Sequence, residues 1–314
     1  MEIVTDLSTC EPPVGGTALT IGAYDGVHLG HRALLGQLGA RARADGLTTA
    51  VVTFDRHPAT VVRPESAPCL LCDLDQKLEL LDSTGVDLTV VVPFDTERAN
   101  ETAEEFVNEV LIRGLGARLV VVGEDFHFGH GRKGNVALLT KLGQEYGFEV
   151  IGAQLTGDTE PVSSTRIRTL VAQGDVVGAS ALLGRPHEVR GEVVRGDGRG
   201  GPELGFPTAN LAVADDIALP AEGMYAGYFT RPDGSEHPAA IYVGRRPTFY
   251  EPGTASVLVE AYLLHFDGDL YGEHGRVSFI GRLRGDRKFE TVDALIAQMH
   301  LDAAEAERVL SADR

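Results

Sequence analysis

Two histidines three residues apart, His28 and His31, close the run Leu19-Thr20-Ile21-Gly22-Ala23-Tyr24-Asp25-Gly26-Val27-His28-Leu29-Gly30-His31. The run reads as a buried strand, a glycine-rich turn and a helix start. If the helix has begun by then, the two imidazoles share one of its faces. Gly22 and Gly26 let the backbone turn tightly and approach a ligand, and Gly30 removes a side chain between the two rings. A helix N-terminus presents free N–H groups and partial positive charge to an anion. The chemistry this points to is a grip on nucleotide phosphates without a Walker A lysine; no G-x-x-x-x-G-K-[ST] occurs in the chain. Histidines at this spacing also occur on plain surfaces, and glycine-rich strand-to-helix turns are common in α/β proteins. The specific signal is H-x-G-H after a strand and an Asp-Gly turn.

A second phosphate grip is read in Val162-Ser163-Ser164-Thr165-Arg166-Ile167-Arg168. Ser163 or Ser164 is the expected N-cap, and spare hydroxyls and N–H groups lie beside Arg166 and Arg168. The plainer alternative is a capped helix with solvated arginines. His57, at the end of the strand-like Thr53-Phe54-Asp55-Arg56-His57-Pro58, is placed to meet a base or phosphate, or is an ordinary loop histidine. The loop Gly123 to Gly134 is rich in glycine, aromatics and cations; its aromatics can flank a flat ring, and Arg132 or Lys133 can meet phosphate.

The second half carries different chemistry. The run from Gly196 to Asn210 can turn backbone N–H groups toward phosphates, while Thr208 and Asn210 offer neutral oxygens to Mg²⁺ or its water shell. A flexible hairpin has the same glycines. In Val259-Glu260-Ala261-Tyr262, Glu260 interrupts an apolar strand. It is read as facing a cleft, where a carboxylate can accept a hydroxyl proton. The alternative is a charge guarding an edge strand.

These residues need a scaffold, and the apolar periodicity supplies two. Residues 1–184 alternate strand and helix: strands at Leu47 to Phe54, Leu88 to Val92, Arg118 to Val122 and Phe148 to Ile151, with helices at Arg32 to Ala44, Leu74 to Leu81, Thr102 to Leu111 and Val136 to Tyr146. Ala33, Leu34, Leu35, Leu38 and Ala42 form the expected buried side of the first helix, Gly46 ends it, and Thr102 with Glu105 makes a capping box. This is a doubly wound parallel sheet with a nucleotide across its C-terminal edge. From 185 to 314 short apolar strands take over, at Glu188 to Val194, Gly223 to Thr230, Pro238 to Val243, Ser256 to Leu264 and Arg276 to Arg284. They predict a small antiparallel barrel or sandwich, followed by a helix or helices from Phe289 to Leu310.

Bulk properties narrow the classes. A length of 314 residues suits two domains, and a formal charge of −18 argues against a nucleic-acid backbone binder. Three cysteines make no disulfide framework; Cys69 and Cys72 form a C-x-x-C with no second pair to complete a zinc site. No apolar run reaches membrane-spanning length and the N-terminus lacks a signal-peptide pattern, so a cytoplasmic protein with no membrane partner is expected.

The boxes together resemble the bacterial bifunctional riboflavin kinase/FMN adenylyltransferase (FAD synthetase) family over nearly the whole chain. The carrying motifs are Gly22 to His31, Thr53 to Pro58, Gly123 to Gly129, Ser163 to Arg168, Gly205-Phe206-Pro207-Thr208-Ala209-Asn210, Gly244 to Phe249, Val259-Glu260 and Asp269 to Gly272. The resemblance implies an H-x-G-H nucleotidyltransferase domain over 1–184 that joins ATP and FMN into FAD and pyrophosphate. His28, His31, Ser164, Thr165 and Arg168 would hold the phosphates in transfer. Gly22, Tyr24, Asp25, Gly26, His57 and Arg166 would line the nucleotide side, with Asp125 and Phe126 toward the flavin. Over 185–314 it implies a riboflavin kinase domain. There Glu260 would deprotonate the ribityl 5′-hydroxyl, Thr208 and Asn210 would hold Mg²⁺, and Gly196, Arg199, Gly205 and Pro207 would lie along the phosphates.

The chain departs from the family pattern at Ala23-Tyr24, Arg56, His127, Arg195, the loop Gly200 to Gly205, Tyr242 and Tyr262. A second reading is therefore kept, in which only the adenylyltransferase acts, or nucleotide and flavin preference is altered. The expected partners are flavins and ATP, with at most weak or transient self-association.

Overall fold

Runs such as Leu88-Thr89-Val90-Val91-Val92 have no polar alternation, which suits strands covered on both faces. In the computed structural model, which describes residues 1–153, 161–195, 208–245 and 257–313, they form a parallel sheet. Contacts divide the chain into two units, Met1–Ser163 and Ser164–Arg314.

The sheet of the first unit contains β1 (Glu2–Val4), β2 (Thr17–Ile21), β3 (Thr48–Phe54), β4 (Leu88–Val92), β5 (Ala117–Gly123) and, after the short hairpin β6 (His127–Phe128) and β7 (Gly134–Asn135), β8 (Glu149–Ala153). Their order is β1-β4-β3-β2-β5-β8, with every pairing parallel. From β2 the chain steps to β3 and β4 on one side, then returns to β5 on the other. The reversal opens a crevice at the C-terminal ends of β2 and β5, where open α/β sheets bind ligands. The helices are α1 (Leu29–Asp45), α2 (Ala59–Val62), α3 (Leu74–Asp82), α4 (Thr96–Asn100), α5 (Ala103–Phe106), a π-helical continuation Val107–Gly114, and α6 (Val136–Tyr146). Leu19, Val52, Val90 and Val120 face one core with Phe106 and Leu111, while Ala18, Val51 and Leu119 face a second with Leu34, Leu35 and Leu38.

Several expectations shift at their edges. α1 starts at Leu29 rather than Arg32 because His28 caps it, its Nδ1 accepting the His31 backbone N–H at 3.3 Å. Ala33 lies on the exposed side of that helix, while Leu34, Leu35, Leu38 and Ala42 are buried as expected. Gly46 closes it in the left-handed conformation at φ 66°, and the Thr102–Glu105 capping box forms. The three-residue edge strand β1 carries too few residues for a periodic pattern.

The second unit opens with α7 (Ser164–Gln173) and α8 (Val176–Leu183). A closed antiparallel barrel follows: β9 (His187–Val194), β10 (Thr208–Ala212), β11 (Gly223–Thr230), β12 (Glu236–Arg245), β13 (Val257–Leu263) and β14 (His274–Gly285), in the order β10-β13-β12-β11-β14-β9. The barrel, not the sandwich, is the outcome. Alternate residues fill it, among them Val193, Leu211, Tyr225, Ile241, Val259 and Phe279. β10 is a strand that the sequence hides at the end of a glycine- and proline-rich run. A single C-terminal helix, α9 (Val292–Asp313), lays Ala306 and Leu310 on outward-facing Ala226, Tyr228 and Ala240. The buried Asp302 on α9 takes a 2.6 Å ion pair from Arg284 on β14.

α7 and α8 group with the barrel: Val176 enters its core, and Arg282 donates to the Gln173 carbonyl at 3.1 Å. The compact units thus divide about twenty residues before the sequence boundary at 184/185. Among the described residues, no helix is long and apolar enough to cross a membrane.

Candidate active sites

The loop leaving β2 is held in an uncommon conformation. Tyr24, Val27 and Gly26 have φ of 50°, 37° and 80°. Positive φ is routine for glycine but unfavourable for a tyrosine and more so for a β-branched valine. Several bonds fix it. Tyr24 Oη pairs with Thr20 Oγ1 at 2.7 Å, and the Ala23 carbonyl accepts from Thr53 Oγ1 at 3.2 Å. The buried Asp25 carboxylate accepts the Leu71 N–H at 2.8 Å, and Cys72 Sγ accepts the Gly26 N–H at 3.2 Å. Cys72 is thereby part of the loop's packing while Cys69 is exposed. Among the described residues, no group of three or more histidine, cysteine or acidic side chains is arranged to hold a metal.

The loop delivers His28 and His31 to the start of α1 with their rings stacked, 3.6 Å between centroids and 14° from parallel. His28 is buried. Since its Nδ1 accepts a backbone N–H, the proton of the neutral ring sits on Nε2. Burial, and then the neighbouring His28, push the His31 pKa well below the ordinary histidine value, so His31 is neutral near pH 7. Its Nδ1 is buried without a hydrogen-bond partner among the described residues, and an orphaned buried polar atom calls for a ligand or water. A Cβ on Gly30 would come within 3.2 Å of the His28 ring and 3.3 Å of the Val162 carbonyl. The glycine is what lets the ring lie against the helix start. Gly22 has the same relation to Tyr24, whose ring would meet a Cβ there at 3.1 Å.

At the end of β3, His57 Nδ1 accepts the Ala59 N–H at 3.1 Å, and Asp55 accepts the Phe94 N–H at 2.8 Å. His57 and Asp55 line a pocket with Ala23, Asp25, Cys72 and Lys77. Lys77 is absent from the sequence reading. It lies on the buried face of α3, with Gln76 and Leu81, and only the tertiary packing puts it there. Beyond β5, Asp125 and Phe126 lead into the β6–β7 hairpin. Phe126 stacks on the buried Phe128 at 5.3 Å, and the Asp125 carbonyl meets His127 Nδ1 at 2.7 Å. β5 is the direct neighbour of β2, so this hairpin and the two histidines leave the same edge of the sheet.

In the second unit Ser164, Thr165, Arg166 and Arg168 occupy the first turns of α7, whose buried side is Ile167 and Val171. Ser163 directly precedes the helix.

The barrel brings Glu260 to Asn210 and Tyr242. Glu260 on β13 is paired with Asn210 on β10 and with Tyr242 on β12, and Thr208 is paired with Tyr262. Facing pairs project to one side of a sheet. Their chain neighbours Ala209, Val259, Ala261 and Ile241 fill the barrel, so this group lies on its outer face. Asn210 is buried and its Oδ1 has no hydrogen-bond partner among the described residues. Tyr242 donates to Asp286 at 3.2 Å. Burial first, and then the Asp286, Glu222 and Glu260 carboxylates, push its phenol up to about 12. Tyr262 packs toward α9. A second pocket runs from Thr208 past Phe266, Asp269 and Tyr271, with the Arg195 guanidinium 5.3 Å from the Tyr271 ring centre. Gly196, Arg199, Gly205 and Pro207 lie outside the described residues.

Comparison with known proteins adds an independent finding. A family model for FAD synthetase matches residues 11–166, and one for riboflavin kinase matches 183–310. The chain is 37% identical over 294 residues to a bifunctional riboflavin kinase/FMN adenylyltransferase of Escherichia coli (strain K12), covering 93% of this chain and 92% of the relative. It is 36% identical over 313 residues to the protein of that name in Pseudomonas fluorescens, covering 99% and 98%. A crystal structure described as a macrolide-efflux protein from Streptococcus pneumoniae superposes with a TM-score of 0.84 at 30% identity, covering 97% of this chain and 98% of that one. With both domain models matched, the single-activity reading is not favoured.

Proposed function

Because the chain belongs to the bifunctional riboflavin kinase/FMN adenylyltransferase family, we propose that its two reactions run at the two groups of residues just described. The chain phosphorylates riboflavin to FMN with ATP and then transfers AMP from ATP to FMN, giving FAD and pyrophosphate.

For adenylyl transfer, an FMN phosphate oxygen attacks the α-phosphorus of ATP and the bond to pyrophosphate breaks, so no protein nucleophile is needed. His28 and His31 act as neutral donors to the phosphate oxygens as charge develops on them. Their supports are the cap, the stack and Gly30. Ser164, Thr165 and Arg168 are assigned to phosphate, and Arg166 to the nucleotide side, from the sequence resemblance, which keeps the functional boundary at 184/185. His57, Gly22, Tyr24, Asp25 and Gly26 are assigned to the nucleotide side, directly or by shaping it, and Asp125 with Phe126 to the flavin.

For phosphorylation, Glu260 accepts the proton of the ribityl 5′-hydroxyl as its oxygen attacks the γ-phosphorus and ADP departs. The observation carrying this reading is the buried Asn210 Oδ1, which has no hydrogen-bond partner among the described residues and is set opposite Glu260. A neutral amide oxygen beside the Thr208 hydroxyl is a donor set that fits Mg²⁺ shared with phosphates. Bound there, Mg²⁺ would neutralise phosphate charge. Gly196, Arg199, Gly205 and Pro207 are assigned to the phosphates from sequence alone. We place the activity in the cytoplasm, with flavins and ATP as partners.

The test is product analysis with riboflavin, ATP and Mg²⁺, resolving FMN from FAD. Accumulation of both, with FAD following FMN, supports the assignment; FMN converted while riboflavin is untouched returns the kinase half to question.

A further inference from the structure

We propose that Lys77 is a positioning residue of the adenylyl-transfer site, clasping the Ala23–Val27 loop into the shape that sets His28. The inference rests on the reading of His28 given above. Lys77 is only 7% exposed, yet it sits on a short helix otherwise amphipathic. Its Nζ donates to the Phe54 carbonyl at 2.7 Å and the Ala23 carbonyl at 3.5 Å. Phe54 is the last residue of β3, and Ala23 is the second residue of the loop that follows β2. One ammonium therefore spans the C-terminal ends of the two strands that border the pocket.

Burying an ammonium is costly, and burial does lower this lysine's pKa. No ion pair joins it to a carboxylate among the described residues; Asp25, Asp55 and Cys72 act on it only through their nearby charge. A plain core position would be filled more cheaply by Leu or Met. The cost becomes intelligible from what the loop requires. Positive φ at Tyr24 and Val27 is strained backbone, which persists only where the surroundings over-determine it. The segment from Leu71 to Lys77 does that. Leu71 N–H holds Asp25, Cys72 Sγ holds Gly26 N–H, and Lys77 holds the Ala23 carbonyl, which Thr53 also holds. Four contacts thus fall on Ala23, Asp25 and Gly26, immediately before the histidine. The C-x-x-C motif finds its use here too: Cys72 serves as an acceptor for the Asp-Gly turn.

Loosening the clasp lets the loop relax and shifts His28 by a fraction of an ångström. Misplacement of that order in a transfer site lowers turnover by about 10- to 100-fold. The experiment is a double-mutant cycle on the full chain, reading FAD formation from FMN and ATP, with FMN formation from riboflavin as the internal reference for protein amount. Lys77→Met should lower kcat by about 10- to 100-fold in the wild-type background. In the His28→Ala background it should cost about threefold or less, because the residue it positions is gone. Equal losses in both backgrounds, or no loss in the first, overturn the proposal. Thr53→Val, which removes the other donor to the Ala23 carbonyl with little change of shape, runs the same cycle if Lys77→Met does not fold. Should His28→Ala alone leave FAD formation intact, the site assignment itself falls, and the inference with it.

Discussion

Asn210 and Glu260 face each other across the β10–β13 ladder, on the outer face of a barrel whose interior is filled with apolar side chains. One presents a buried acceptor with no hydrogen-bond partner among the described residues, the other a carboxylate. A metal-and-base pair for phosphoryl transfer needs this juxtaposition of a neutral hard oxygen and a proton acceptor. Replacing Glu260 by Gln keeps the shape and removes the basicity. FMN formation from riboflavin should fall by about 10²-fold or more, while FAD formation from supplied FMN persists. Chromatographic separation of FMN and FAD checks both in one sample, and equal loss of the two products would contradict a kinase-specific role.

The reciprocal variant is His28→Ala. It removes the proposed donor to the substrate phosphates, the N-cap of α1 and the stacking partner of His31 together. FAD formation from FMN should drop by about 10²-fold or more, as for loss of one preorganised donor, with riboflavin phosphorylation retained. A cap is worth about 1 kcal/mol, so the melting temperature of the variant should fall only modestly. Pyrophosphate release with FMN and ATP measures the first effect and calorimetry the second.

The two halves were unequally legible. Parallel strands buried on both faces, such as β2 and β4, announce themselves as uninterrupted apolar runs, and α1 announces its end through Gly46. The H-x-G-H box gave its own location, because strand, Asp-Gly turn and histidines are contiguous in the chain. Glu260 stood out as a lone carboxylate in an apolar strand. Its register against Asn210 could not be read, since pairing partners fifty residues apart leave no local pattern, and β10 has only Leu211 as a strongly apolar residue. Lys77 was invisible for a related reason: a lysine on an amphipathic helix is ordinarily solvated, and only tertiary packing puts this one under two strand ends. The grouping of α7 and α8 with the barrel likewise depends on long-range contacts such as Arg282 to the Gln173 carbonyl.

Acid should weaken the second unit through His187. The ring is 1% exposed, stacks on Phe279 and bonds the Ala218 carbonyl at 2.8 Å through Nε2. Burial pushes its pKa down to about 4. In the unfolded chain the ring takes its proton near pH 6.5. Between these values the unfolded state binds more protons, so stability is full above about pH 6.5 and is lost as pH falls toward 4. The loss amounts to about 3 kcal/mol for a depression of this size. Urea unfolding of the barrel between pH 7 and 4.5, followed in parallel for His187→Gln, should show a slope in the native protein that the variant lacks; parallel slopes would contradict this account.

Gly30→Ala tests whether the space between the two histidines matters more than their presence. The substitution adds one methyl group at a helix position where alanine has the better intrinsic propensity, so propensity alone predicts a gain of up to about 1 kcal/mol. The methyl would, however, press within 3.2 Å of the His28 ring and 3.3 Å of the Val162 carbonyl. The carbonyl is backbone and yields little, so the ring must move, and with it both the stack on His31 and the cap on α1. FAD formation should fall by about 10-fold or more while riboflavin phosphorylation is unchanged. A crystal structure of the variant should show His28 displaced, with the centroid separation from His31 longer than 3.6 Å. A rise in stability with undiminished FAD formation would mean that the ring has room to spare, and that the glycine serves the approach of substrate rather than the seating of the histidine.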